Sequence, residues 1–163
     1  MFHTLAEFKR IWGFESAATI TILECLTDDS LPTMIDAEHR SLGRLANHLI
    51  ETLTEMPKRM GLPLEEEFLA HTTTAALVAD YRAKSDALIA AIDATWTDAV
   101  LSEMRDMYGE QWTVSDALQS LVMHQCHHRG QMTVLMRQAG LQVTGIYGPA
   151  KHEWVHMNMQ PLP

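Results

Sequence analysis

Proline, glycine and helix-capping residues cut this chain into four long stretches whose apolar side chains recur every three or four positions, and no segment alternates β-branched with polar residues. That pattern restricts it to an all-α fold. The first stretch runs from Thr4 to Thr27 with Leu5, Phe8, Ile11, Trp12, Glu15, Ala18, Ile22, Cys25 and Leu26 along one stripe, and Asp28, Asp29, Ser30 and Pro32 end it. The second is expected to start at Asp36 as N-cap and carries Leu42, Leu45, Ala46, Leu49, Leu53 and Met56. Pro57 is placed to kink its last turn, and Gly61 with Pro63 mark its end. The third opens after Thr72 to Thr74 and carries Leu77, Tyr81, Leu88, Ile92 and Trp96; a polar connection through Tyr108, Gly109 and Glu110 follows. In the fourth, Thr113-Val-Ser-Asp116 has the form of a capping box with Asp in place of Glu, Leu118, Leu121, Val122, Met132, Leu135 and Met136 form the buried face, and Gly140 is the stop.

Four amphipathic helices in 163 residues predict one domain, 1–163: a four-helix bundle over about residues 4–140, antiparallel or with crossovers, and a short C-terminal tail over 141–163 packed on it. Glycine and proline keep the tail from forming a long helix. Pro149 to Met157 suits a short one, with Tyr147, Trp154 and Met157 expected to pack back onto the bundle.

The charge balance removes several functions. Twelve Lys and Arg against 21 Asp and Glu leave −9, with the bases scattered, so consecutive phosphates would go unneutralised and nucleic acid is not an expected partner. An anionic membrane surface would repel the chain, and every apolar run breaks well short of the roughly 18 to 20 residues of a crossing. Two cysteines, Cys25 and Cys126, and no basic-then-apolar leader make a reducing cytoplasm the simplest setting. Eleven Met read as core filler, because none form a soft-ligand cluster, and Glu65-Glu66-Glu67 reads as a solvated charge run.

Nine histidines are the chemical signal, and three crowd together at His124, His127 and His128. At about 100° per residue, His128 lies roughly 55° from the centre of its apolar stripe, His124 roughly 95° and His127 roughly 155°. His127 therefore faces outward, while His124 and His128 stand one turn apart on one flank, able to converge on a single ion or to serve as ordinary hydrogen-bonding side chains. Gln131, seven residues beyond His124, shares that side and either orients a ligand or forms a solvated edge. Gly130, inside the helix, suggests close approach of another element. His48 sits in the second helix roughly 110° from the stripe centre, a polar flank by periodicity alone, and His39 lies on nearly the opposite side.

The helix-two segment Ser41-Leu-Gly-Arg-Leu-Ala-Asn-His48-Leu, the run His124-Gln-Cys-His-His128-Arg-Gly-Gln131, the later Tyr147-Gly-Pro149 with Trp154, and the early Trp12 together resemble the DinB-like metalloprotein family, over nearly the whole chain. The resemblance implies a divalent metal, zinc or nickel, held by His48, His124 and His128, with a coordination position left for water or substrate. An ion in such a site polarises a substrate oxygen or lowers the pKa of bound water or thiol. The family's activities divide among thiol transferases, thiol-dependent isomerases and hydrolases. The resemblance thus implies a small-molecule substrate, with a low-molecular-weight thiol as one candidate, and a homodimer. The other reading is a metal-binding stress or sensor protein without turnover; a third is a structural bundle with incidental histidines.

Cys126 points roughly 160° away from His124 around the helix, which argues against a Cys-His nucleophile, and Cys25 reads as a small core residue. Glu24, Glu51 and Glu55 are open to two readings, acceptors or a general base beside a metal site, or plain solvated carboxylates.

Overall fold

The computed structural model describes residues 1–161; positions 162 and 163 of the expected tail lie outside the described residues. Four α-helices dominate: α1 Leu5–Glu24, α2 Leu42–Arg59, α3 Thr74–Thr95 and α4 Val114–Gln138. α2 packs on both α3 and α4, and α1 packs on the same two helices, as in a four-helix bundle. Three short 3₁₀ segments, Asp28–Ser30, Asp98–Ser102 and Lys151–Met157, lie in the connections and the tail.

Local chemistry explains the ends. Thr4 caps α1 in a capping box with Glu7, and Thr73 and Thr113 accept from the backbone N–H three residues on at the starts of α3 and α4. The cap of α2 is Ser41, not Asp36. The Asp36 carboxylate is taken by a local turn, accepting from the Glu38 N–H and meeting the His39 ring at 2.6 Å. The helix instead starts where Leu42 and Gly43 donate backbone bonds to Thr33 and Leu31. A side chain at Gly43 would come within 3.1 Å of Leu31, so glycine lets the loop and helix close together.

The expected polar connection before α4 is a small antiparallel hairpin, β1 Met104–Met107 with β2 Glu110–Thr113, in register Met104 to Thr113 and Met107 to Glu110. Tyr108 and Gly109 form its two-residue loop with φ of 62° and 88°, the left-handed pair that a tight hairpin requires. Strands of four residues, mostly exposed, carry too few alternating positions to register as strands in the sequence.

The core is the union of the four stripes. Phe8, Trp12, Leu49, Leu53, Leu77, Tyr81, Leu88, Leu118, Leu121 and Met132 are all 1% exposed or less. Of the methionines, Met56, Met60, Met107, Met132 and Met136 fill the core, but Met1, Met34, Met104, Met123, Met157 and Met159 are exposed, which narrows the filler reading. In the tail the buried anchor is Val143; Met157 is exposed, Trp154 is half-buried, and the Tyr147 ring is 68% exposed while only its hydroxyl reaches inward. Among the described residues no helix is long and apolar enough to cross a membrane.

Candidate metal centre

α2 and α4 lie side by side and bring His48 to His124 and His128. One nitrogen from each ring lies within 4.8 Å of the other two. The His124 Nε2 is 3.2 Å from the His48 Nε2 and 3.1 Å from the His128 Nε2. Ligands at 2.0–2.1 Å around a tetrahedral zinc ion are about 3.3 Å apart, so the spacing is that of coordination edges.

The far sides of two rings are already engaged. The His128 Nδ1 stands 2.7 Å from the Gln131 Oε1, and the His48 Nδ1 3.3 Å from the Glu51 Oε2. An oxygen acceptor at each Nδ1 places the proton there and leaves the Nε2 lone pair facing the cluster. Such lone pairs repel one another at this distance. A single proton on the His124 Nε2 serves one neighbour, whereas one cation serves all three. The buried His124 Nδ1 has no hydrogen-bond partner among the described residues. The residues present therefore fit a divalent ion.

Electrostatics favours the neutral form of the rings, the form able to ligate. Burial, then the neighbouring imidazoles, pushes the His124 pKa down to about 4. Burial likewise lowers His48 and His128, against the raising effect of their bonds to Glu51 and Gln131.

The cluster is bordered by two clefts. One, of about 360 Å³, is lined by His48, Glu51, Glu55, Phe68, Tyr108 and His124. Its carboxylates are engaged: Glu51 accepts from Arg44 at 2.9 Å, and Glu55 binds Arg59 and accepts from the Tyr108 hydroxyl at 2.7 Å. The other, of about 410 Å³, includes Arg40, His128 and Gln131. Gln131 and Glu51 thus take the acceptor places open to them in the sequence, and Glu55 lies in the adjoining cleft. Glu24 is elsewhere, paired with Arg82 across α1 and α3. His127 is exposed, and His39 pairs with Asp36. Gly130 meets no neighbour, since a side chain added there would find nothing within 4 Å. Neither Arg44 nor Tyr108, which the sequence placed only in a polar connection, was expected at the site. Arg44 was legible, standing one turn before His48; Tyr108 comes from the hairpin tip and left no signal.

On the opposite flank of α4 lies a second polar cluster. Arg129, 3% exposed, forms an ion pair with Glu15 and donates to the Glu15 carbonyl and the Thr19 hydroxyl. The Tyr147 hydroxyl donates to the Glu15 carboxylate at 2.8 Å, and the Cys126 thiol donates to it at 3.3 Å. Burial raises the Glu15 pKa, but the bonds from Arg129, Tyr147 and Cys126 and the Arg129 charge outweigh it and hold the carboxyl below its ordinary 4.5. Cys126 does not share the histidine site.

Comparison with known proteins agrees with this architecture. Residues 1–161 match the DinB family. An uncharacterized protein of Bacillus subtilis, YrdA, is 40% identical over 163 residues, covering 98% of each chain. The crystal structure of a DinB-like protein from Bacillus cereus superposes with a TM-score of 0.86 at 38% identity, over 90% of this chain and 100% of that one. A DinB-like protein of Bacillus subtilis superposes with a TM-score of 0.68 at 18% identity, over 88% of this chain and 99% of that one, a likeness of fold alone.

Proposed function

Because the chain belongs to the DinB family, we propose that it is a metal-dependent enzyme of the thiol transferase or hydrolase type, with His48, His124 and His128 as the ligands of one divalent ion. The observation that carries this reading is the convergence of three Nε2 atoms, two of them aimed by acceptors at the far side of the ring. Zinc and nickel both suit imidazole ligands. Bound there, such an ion supplies Lewis acidity, lowering the pKa of a thiol or water and polarising a substrate oxygen.

The chain's own residues do the rest. Gln131 and Glu51 fix the tautomer and direction of two rings. Arg44 holds the Glu51 carboxylate in place from the solvent side. Three neutral ligands leave the ion's charge undiminished, which favours an anionic fourth partner such as a thiolate. Two clefts bordering one centre suit a small-molecule substrate. Within this proposal the protein is cytoplasmic, in keeping with free Cys25 and Cys126, and works as a homodimer in one-domain subunits.

The test begins with the purified protein stripped by chelator and titrated with zinc or nickel. One ion per chain and a higher melting temperature are expected, about 2.7 kcal/mol of stabilisation at a hundredfold excess over Kd. Turnover of a thiol plus an electrophile, or of an ester or amide, that appears only in the loaded protein completes the assignment. Stoichiometric metal without any turnover moves the protein to the sensor reading, and absence of metal ends both.

A further inference from the structure

The two clefts differ in one respect that bears on the substrate. Where the cleft beside Tyr108 has its acids already engaged by Arg44, His48 and Arg59, the one beside His128 contains a positive charge that the fold leaves unmatched. Arg40 lines that cleft, is exposed, and has no carboxylate within ion-pair distance among the described residues. Arg10 and Arg137 also lack such a partner among the described residues, but Arg40 is the one that lines a cleft together with His128, while Arg44, Arg59, Arg82, Arg105 and Arg129 each hold a carboxylate. The charge of Arg40 is felt at His48, His124 and His128 alike, so the guanidinium stands within electrostatic reach of the whole cluster.

An unmatched guanidinium beside three neutral ligands raises the local positive potential, and a divalent ion raises it further. An anion relieves both. Glu38 also lines the cleft, but it lies outside ion-pair distance of Arg40, so it weakens the potential without cancelling it. The remaining walls are apolar, from Ile35, Leu45, Val134 and Leu135, and fit the carbon body of a small ligand.

Resting on the metal-centre reading above, we infer that Arg40 is a specificity-determining residue. The cleft of about 410 Å³ takes a small carboxylate-bearing thiol, its sulfur toward the three histidines and its carboxylate on the guanidinium. Arg40 distinguishes ligands by their anionic end; its longer-range attraction for the sulfur is the same for every thiolate.

The experiment uses cobalt(II)-loaded protein, whose visible absorption reports ligand arrival without any turnover. Two thiols of matched length are titrated in, 3-mercaptopropionate and its neutral counterpart 3-mercaptopropanol. Wild type is expected to bind the carboxylate about tenfold more tightly, the usual size of one charge-assisted hydrogen bond in an accessible cleft. Arg40→Met erases that preference, and whatever the lost charge costs thiolate binding falls on both thiols alike; Arg40→Lys retains part of it. Arg10→Met removes the same charge from α1, outside the cleft, and leaves the preference intact. Equal affinities in wild type, or a preference that survives in Arg40→Met, overturn the assignment. If cobalt never binds, the three-histidine reading falls and this inference with it; if cobalt and both thiols bind but without discrimination, only the role of Arg40 is lost.

Discussion

The two polar clusters on opposite flanks of α4 are built from adjacent residues and have opposite accounts of their hydrogen bonds. Cys126 and Arg129 face α1 and the tail, where Glu15, Thr19 and Tyr147 accept from both terminal nitrogens of the guanidinium. His124 and His128 face α2, where three Nε2 atoms meet and the His124 Nδ1 has no partner among the described residues. A closed network fixes a structure, because each polar atom has lost water and found a replacement. An open one is poised for a ligand. The same helix thus uses one face to fasten the tail and another to gather two of the three imidazoles.

That contrast can be broken first at its strongest point. Arg129→Met leaves the Glu15 carboxylate buried without its cation and is expected to cost about 3–5 kcal/mol in urea unfolding. Replacing both Glu15 and Arg129 with apolar residues of similar size should recover most of that loss, whereas an additive double variant would mean the pair is not coupled.

On the open side, His124→Ala is expected to weaken zinc or nickel binding by more than about a hundredfold, since removing outer partners of ligands alone costs 10–100-fold. A competition titration against a chromophoric chelator reads the change, and unaltered affinity would remove His124 from the centre. Gln131→Ala belongs to the outer class, at about tenfold in the same titration, with little effect on unfolding.

Smaller effects sharpen the closed side. Tyr147→Phe deletes one phenol bond to the carboxylate and should cost about 1 kcal/mol. Glu15 also sets a pH dependence. Its pKa is lower in the folded chain than the usual 4.5, so its contribution is complete above that value and is lost as pH falls through the folded pKa. The stability gap between wild type and Glu15→Gln should accordingly be constant near neutrality and shrink in acid; a gap that widens in acid would reverse the sign of the coupling.

Much of this was readable from residue spacing. The stripes of α1, α2, α3 and α4 are buried where the three-and-four rhythm places them, and Thr4, Thr73 and Thr113 cap as their side chains allow. The pairing of His124 with His128 was legible too, because both stand on one helix and its pitch fixes their relative direction. His48 was not. Its angle to its own stripe says polar flank, and only the packing of α2 against α4 turns that flank into the wall of a site. Glu15 sat in the first apolar stripe without explanation until Arg129 stood opposite it. The hairpin was missed because the Tyr108 and Gly109 loop and four-residue strands carry too little periodicity.

Helical spacing carries information along one rod. It yielded the all-α class, the number of long helices and the shared direction of two imidazoles, since those depend on a pitch every residue obeys. Which rods lie side by side is settled by the fit of whole apolar faces, a sum over many weak contacts that no single position records. The partner of Glu15 and the place of Arg40 beside the cluster depend on that fit and emerged only in three dimensions, while His48, which the family resemblance named, owes its position among the imidazoles to the same fit.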